Sequence, residues 1–278
     1  MLKLKKIKKN ICHSFVQGRL SNEIGNKYQH FPIHNWHNEL KIAKKFNFDS
    51  IEWLISDFSN PLFNPVFLNL INQKLKKNKI KVSSISLDLI MDNALHNINK
   101  DQIIWLIDRI NKANKLLNIK RLSIPIEERS RFNNNYEKMK ALSKLNIFCK
   151  KLSKSINLCV ETDISPKILN KIFKTNKFKR LGLLLDIGNL RAHGFNIRDY
   201  FNKFPSKIYS IHIKYRDQTY GKSKLIPKKN FYELSYLLKN IDNLKNLKDI
   251  SFQTFKSKKN YLNNIKTCIK AYNLYAQQ

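Results

Sequence analysis

The sequence predicts an α/β protein of the (β/α)8 TIM-barrel class. Three observations carry this. Short β-branched or apolar runs alternate with longer amphipathic stretches, the alternation completes eight times, and no Gly/Ser/Pro-rich linker divides it. Parallel neighbouring strands need crossover helices, and eight such units close on themselves. Residues 1–278 therefore read as one barrel domain. A doubly wound open sheet shares the alternation but expects a Gly-rich loop after its first strand, and none follows here.

The first strand is expected over 11–17 (ICHSFVQ), with a helix over 37–46 whose Leu40, Ile42, Ala43 and Phe46 share a helical face. A second strand, 48–55, leads to a helix over 65–78 with Pro65 suited to its first turn. The third unit pairs strand 80–90 with helix 101–118, and the fourth pairs strand 119–126 with helix 135–155. Strand 156–162 is followed by a short helix opened by Ser165-Pro166, an N-cap and N1 pair. The sixth strand, 180–187, ends in LLLDIGN, and Gly188 is expected to let the chain turn away. A short helix near 196–204 follows it. Strand 207–215 with helix 228–240, and strand 249–255 with helix 257–276, complete the set.

Composition narrows the function classes. Hydrophobic residues make up 42% of the chain, enough for a packed core. The net charge is +33, but only nine of the 53 basic residues are Arg, and Lys is scattered through nearly every segment. Readers of phosphates and base edges favour the planar, bidentate Arg. The charge is therefore read as a solvated Lys-rich surface that attracts polyanions non-specifically at low salt, with no specific nucleic-acid partner. Cys12, Cys149, Cys159 and Cys268 form no CxxC pair, and Cys12 and Cys159 sit in apolar runs as core residues would. A reducing, cytoplasmic setting is expected. No run approaches the ~18 apolar residues of a membrane span, so no membrane partner is expected.

In barrels of this class the working site lies at the C-terminal ends of the strands. The polar residues there are Gln17 and Arg19, Glu52, Asp88, Glu127 or Glu128, Glu161, Asp186, the His212, Lys214 and Arg216 group, and Gln253. A carboxylate buried at such a position is costly unless paired or bound to metal. Glu161, Asp186 and His212 end three successive strands, whose neighbours lie ~4.8 Å apart, so these side chains can converge on one ion. Two carboxylates and an imidazole suit Mn²⁺, Mg²⁺, Co²⁺ or Zn²⁺, with Gln253 as a fourth oxygen donor. Taken singly, an Asp after a strand is an ordinary cap and a His in IHIKY an ordinary hydrogen-bonded core residue. His30, His34 and His37 are read as loop and helix-start residues, since Pro32 breaks any shared helical face.

The ordered stretches VQGRLS (16–21), FDSIEW (48–53), VETDISP (160–166), LDIGN (185–189), HIKYRD (212–217) and FQTF (252–255) resemble the xylose isomerase-like sugar phosphate isomerase/epimerase family. The resemblance implies a TIM barrel holding one divalent metal through Glu161, Asp186, His212 and Gln253. It implies an isomerase or epimerase of a sugar or sugar phosphate, working through an enediolate. The family commonly has Glu at the last metal position, and Gln cannot accept a proton. Glu161 then serves as the sole metal-bound base, or Glu52 assists from the second strand, or the deprotonation chemistry is lost or changed. Asn189 stands where relatives often carry His, and a substrate hydrogen bond is expected of it. Lys214, Arg216, Lys222 and Arg19 would hold a phosphate or carboxylate. The expected partner is thus a small sugar or sugar phosphate, with a homodimer compatible. Two other readings stand beside this one. Gln253 also suits a non-catalytic sugar-binding relative on the same fold. An apurinic-site endonuclease would exploit the charge, but needs extra His ligands at the second, third and sixth strand ends, which read IEWLI, SLDLI and LDIGN.

Overall fold

Eight parallel strands close into a barrel in the computed structural model of the chain, which describes residues 2–8, 10–22, 29–219, 221–256 and 260–277. The barrel strands are β1 (Cys12–Val16), β2 (Ser50–Leu54), β3 (Lys81–Ser86), β4 (Arg121–Ile126), β5 (Asn157–Thr162), β6 (Leu181–Asp186), β7 (Ile208–Ile213) and, eighth in the barrel, β10 (Asp249–Phe252). A two-stranded hairpin, β8 (Tyr215–Arg216) and β9 (Ser223–Lys224), interrupts the run after β7. β1 closes the ring by pairing with both β10 and β2. No helix among the described residues is long and apolar enough to cross a membrane.

Helix boundaries follow local chemistry. α1 (Trp36–Lys45) lies one residue from its expected span. α2 (Pro65–Asn78) matches its expected span because Asn64 caps the amides of Val66 and Phe67, and Pro65 opens the first turn. Several spans differ from expectation. The third strand stops at Ser86, and Asp88 opens a single helical turn, α3 (Leu89–Asp92). α4 (Lys100–Leu117) starts at an Asn99–Gln102 capping box. α5 (Asn135–Lys151) is shorter than expected and precedes α6 (Pro166–Phe173), where Pro166 sits at the first turn but the Ser165 side chain makes no capping bond. Gly188, expected to turn the chain away, lies instead in a short helix, α7 (Ile187–Ala192). α8 (Ile197–Lys203) follows it, α9 (Tyr232–Asn240) starts later than expected, and α10 (Tyr261–Tyr275) ends the barrel. The start expected for the last helix, 257–259, lies outside the described residues.

Apolar side chains fill the layer between strands and helices, where Phe15, Trp53, Leu122, Ile211 and Phe252 are fully buried. Three of the cysteines are buried, but Cys12 is only half-buried, its Sγ 2.9 Å from Ser50 Oγ. The barrel interior differs from the branched apolar packing usual for this class. Ser14, Ser84, Ser210 and Ser251 point into it. The carboxylate of Asp249 accepts from Ser14 (3.1 Å), Ser251 (2.7 Å) and Ser210 (3.4 Å). Arg121 crosses the barrel from the opposite strand to place Nη2 2.6 Å from Asp249 Oδ2, both side chains being buried. Pairing shifts register just before Glu52 on β2 and just before Leu184 on β6. Such irregularities re-aim side chains near functional sites.

Removing one partner of a buried ion pair strands the other charge. Asp249→Ala is expected to lower the unfolding free energy by about 3–5 kcal/mol, measured by urea titration. The paired replacement Arg121→Met with Asp249→Leu is expected to lose much less.

Candidate metal centre and cavity

Glu161 near the end of β5, Asp186 at the end of β6 and His212 near the end of β7 converge as the sequence predicts. One ligand atom from each lies within 4.8 Å of the others, and they are the one group of three or more metal-ligating side chains among the described residues. Asp186 and His212 are direct cross-strand partners. His212 Nδ1 is 3.2 Å from Glu161 Oε1 and 3.9 Å from Asp186 Oδ2. Its Nε2 lies 3.0 Å from Glu52 Oε1. Burial opposes a charged imidazole, but Glu52 and Glu161 outweigh it and hold the His212 pKa well above the ordinary value. His30, His34 and His37 stay outside this cluster.

Glu52 is fully buried below His212 and does not line the cavity. Its Oε2 accepts from Ser84 (3.0 Å) and Ser251 (3.1 Å). Burial works against its charge, yet His212 and these hydroxyls keep its carboxyl below the usual range. From there it holds the imidazole, and its carboxylate lies off the cavity where an assisting base was expected.

Asp186 answers two demands at once. Its Oδ1 caps α7 by accepting the Asn189 amide at 2.8 Å, while Oδ2 faces the Lys214 ammonium at 2.8 Å. Burial opposes its charge, but Lys214 first and His212 second hold the carboxyl low. Gly188 is required by close approach: a Cβ there would lie 2.6 Å from the Lys214 carbonyl oxygen.

A cavity of about 670 Å³ opens over these strand ends, lined by Glu161, Lys214, Gln253, Arg19, Asp88 and Glu127 among others. Gln253 donates through Nε2 to Gln29 Oε1 at 3.0 Å, while its buried Oε1 has no hydrogen-bond partner among the described residues. Arg216 reaches Glu128 Oε1 (2.6 Å) and Asn189 Oδ1 (2.8 Å), and Asn189 Nδ2 donates to Glu127 Oε2 at 2.6 Å. Arg19 bonds Gln29 and the Thr254 carbonyl. Lys214, Arg216 and Asn189, expected to face substrate, are thus already engaged with protein groups, as is Arg19.

Glu127 and Asp88 are strand-end acids to which the sequence attached no role. Burial and the charge of Glu161 push Glu127 well above the carboxylate range, and burial raises Asp88 to about 7. Their signal was present, since both close strand segments. Gln29 offered none, because it arrives from a loop. Glu39 on α1 is also fully buried, and its carboxylate accepts the amides of Gly18 (3.0 Å) and Leu20 (2.9 Å). It thereby holds the loop that carries Arg19, with Lys256 donating to the Gly18 carbonyl at 2.8 Å.

No family model matches the chain, and no curated protein matches its sequence. Solved structures do match its fold. The IolI protein, solved with a bound zinc atom, is 16% identical with a TM-score of 0.70, covering 96% of this chain and 99% of that one. A D-psicose 3-epimerase with D-tagatose from Clostridium cellulolyticum H10 is 12% identical, TM-score 0.68, covering 96% of each. A probable 3-DHS dehydratase, AsbF, from Bacillus anthracis is 12% identical, TM-score 0.71, covering 95% of this chain and 99% of that one. At such identities the likeness is one of fold: the chain shares the TIM barrel of these structures.

Burial raises the Glu39 pKa from 4.5 to about 7. Between those values the native state keeps a proton that the unfolded chain has released, so stability falls as pH rises through that window. Unfolding titrations between pH 4.5 and 8 are expected to show wild type losing about 3 kcal/mol more than Glu39→Gln.

Proposed function

We propose that the protein is a divalent-metal-dependent isomerase or epimerase acting on a sugar or sugar phosphate. One observation carries this reading: Glu161, Asp186 and His212 bring two carboxylates and an imidazole together at the strand ends beside a polar cavity. The orphaned Oε1 of Gln253 at the same cavity supports a fourth donor, so the donor set fits a hard-to-borderline ion such as Mn²⁺, Mg²⁺, Co²⁺ or Zn²⁺. The zinc-bound and epimerase barrels that share this fold support the same choice.

When bound, the ion supplies Lewis-acid polarisation of a substrate carbonyl and its neighbouring hydroxyl. Glu161 faces the cavity and removes the proton α to the carbonyl, leaving the electron pair in an enediolate. Return of the proton to the neighbouring carbon isomerises the sugar, and return to the opposite face epimerises it. Gln253 cannot return it. Glu127, whose carboxyl burial and the charge of Glu161 push above the usual range and which Asn189 orients at the cavity wall, is the second proton carrier. Glu52 keeps the His212 ring in place. Arg19, Arg216 and Lys222 supply positive charge to an anionic group on the substrate. A second reading rests on Gln253 alone: a binding protein that keeps the cavity and has lost turnover.

Metal analysis of protein purified without chelator is expected to find about one divalent ion per chain in wild type and none in Asp186→Ala. Metal-free wild type would defeat the proposal. In deuterated water, a ketose and ketose-phosphate panel is expected to take up label at the carbon beside the carbonyl, and Glu161→Gln to abolish uptake. No uptake by a metal-loaded protein that binds a sugar would select the binding reading. Abasic-site DNA incubated with the loaded protein is expected to stay intact.

A further inference from the structure

Lys214 follows His212 by two residues, so strand alternation sends both side chains inward. It is buried, 8% exposed, and lines the cavity together with Glu161, whereas Asp186 and His212 do not. An ion entering from the cavity therefore meets the Lys214 ammonium before it meets Asp186. The ammonium sits 2.8 Å from Asp186 Oδ2. That oxygen is the one turned toward His212 Nδ1, at 3.9 Å, and its twin is occupied by the helix-capping bond from Asn189. Both the cation on Lys214 and a divalent ion thus require the same face of one carboxylate.

The surroundings decide which part can yield. The Lys214 main chain is packed against Gly188, where a Cβ would come within 2.6 Å of the carbonyl oxygen. Asp186 is anchored through Oδ1. The four-carbon Lys stem is the flexible member, with rotatable bonds ending in a compact charge.

We propose that the Lys214 ammonium is a tethered cation occupying the metal's side of Asp186, and that loading with a divalent ion requires it to swing off Oδ2 toward the cavity. The inference rests on the metal-binding reading above and adds a residue that sets metal affinity. With the ion absent, Lys214 balances the charge of Asp186. With the ion present, the freed ammonium joins the positive side chains that face the substrate cavity.

The test is calorimetric titration of chelator-stripped protein with Mn²⁺ alone, for wild type, Lys214→Met, Lys214→Gln and Lys214→Arg. Removing the competing charge is expected to tighten Mn²⁺ binding on the order of tenfold in the Met and Gln variants, while Arg, which keeps the charge, stays near wild type. Thermal melts supply a second readout. The Met variant is expected to melt below wild type without metal and to gain more from saturating Mn²⁺. Equal or weaker Mn²⁺ binding by both neutral variants overturns this inference and leaves the metal site standing. No Mn²⁺ binding by any of the four proteins overturns both. Should Lys214→Met fail to fold, Lys214→Gln decides.

Discussion

An imidazole clasped between two carboxylates organises the inside of this barrel. His212 meets Glu161 on one side and Glu52 on the other, and each contact leads to further charge. Below, Glu52 is tied through Ser251 to Asp249 and from there to Arg121. Above, Glu161 and Asp186 lead to Lys214. Polar side chains thus form a continuous column along the barrel axis where apolar layers are usual. Low dielectric makes each link strong, and it makes each missing link costly.

The column explains why the strand-end acids can exist at all. Glu52, Glu161 and Asp186 each have a cationic side chain in contact, and Glu127 and Asp88 are held by the amides of Asn189 and Gln29, so none is buried alone. It also gives Asp186 its double character. An aspartate after a strand is an ordinary helix cap, and the Oδ1 contact to Asn189 is one. The adjoining strands give its other oxygen a second purpose by bringing His212 and Glu161 beside it. The cap and the ligand are two ends of one side chain, so orienting α7 also orients the candidate metal oxygen.

The barrel was legible because its eight repeats each show a strand period followed by a helix period, and the closest match, α2, is the one whose Asn64 and Pro65 mark its start chemically. The convergence of Glu161, Asp186 and His212 was legible for a related reason, since strand order places their ends side by side. Other features depend on contacts between distant segments and leave no local trace. α7 was hidden because Gly188 looked like a turn residue, whereas the glycine answers to the Lys214 backbone 26 positions later. Glu52 looked like any strand-end acid, yet it points below His212. The engagement of Arg216 with Glu128 and Asn189 joins three segments far apart in the chain, which no spacing along it reports.

The distribution of acids has a consequence for how such a chain can change. The chain has 20 Asp and Glu residues, and eight of those described are buried, among them Glu39, Glu52, Glu127, Glu161, Asp186 and Asp249. The Lys-rich exterior and this acidic interior are electrically separate, because charges in solvent are screened within ~8–10 Å. Lysines can accumulate or disappear outside without disturbing the balance of charge along the axis. Behaviour that reports the exterior, such as ion-exchange retention or solubility, therefore carries no information about the chemistry inside.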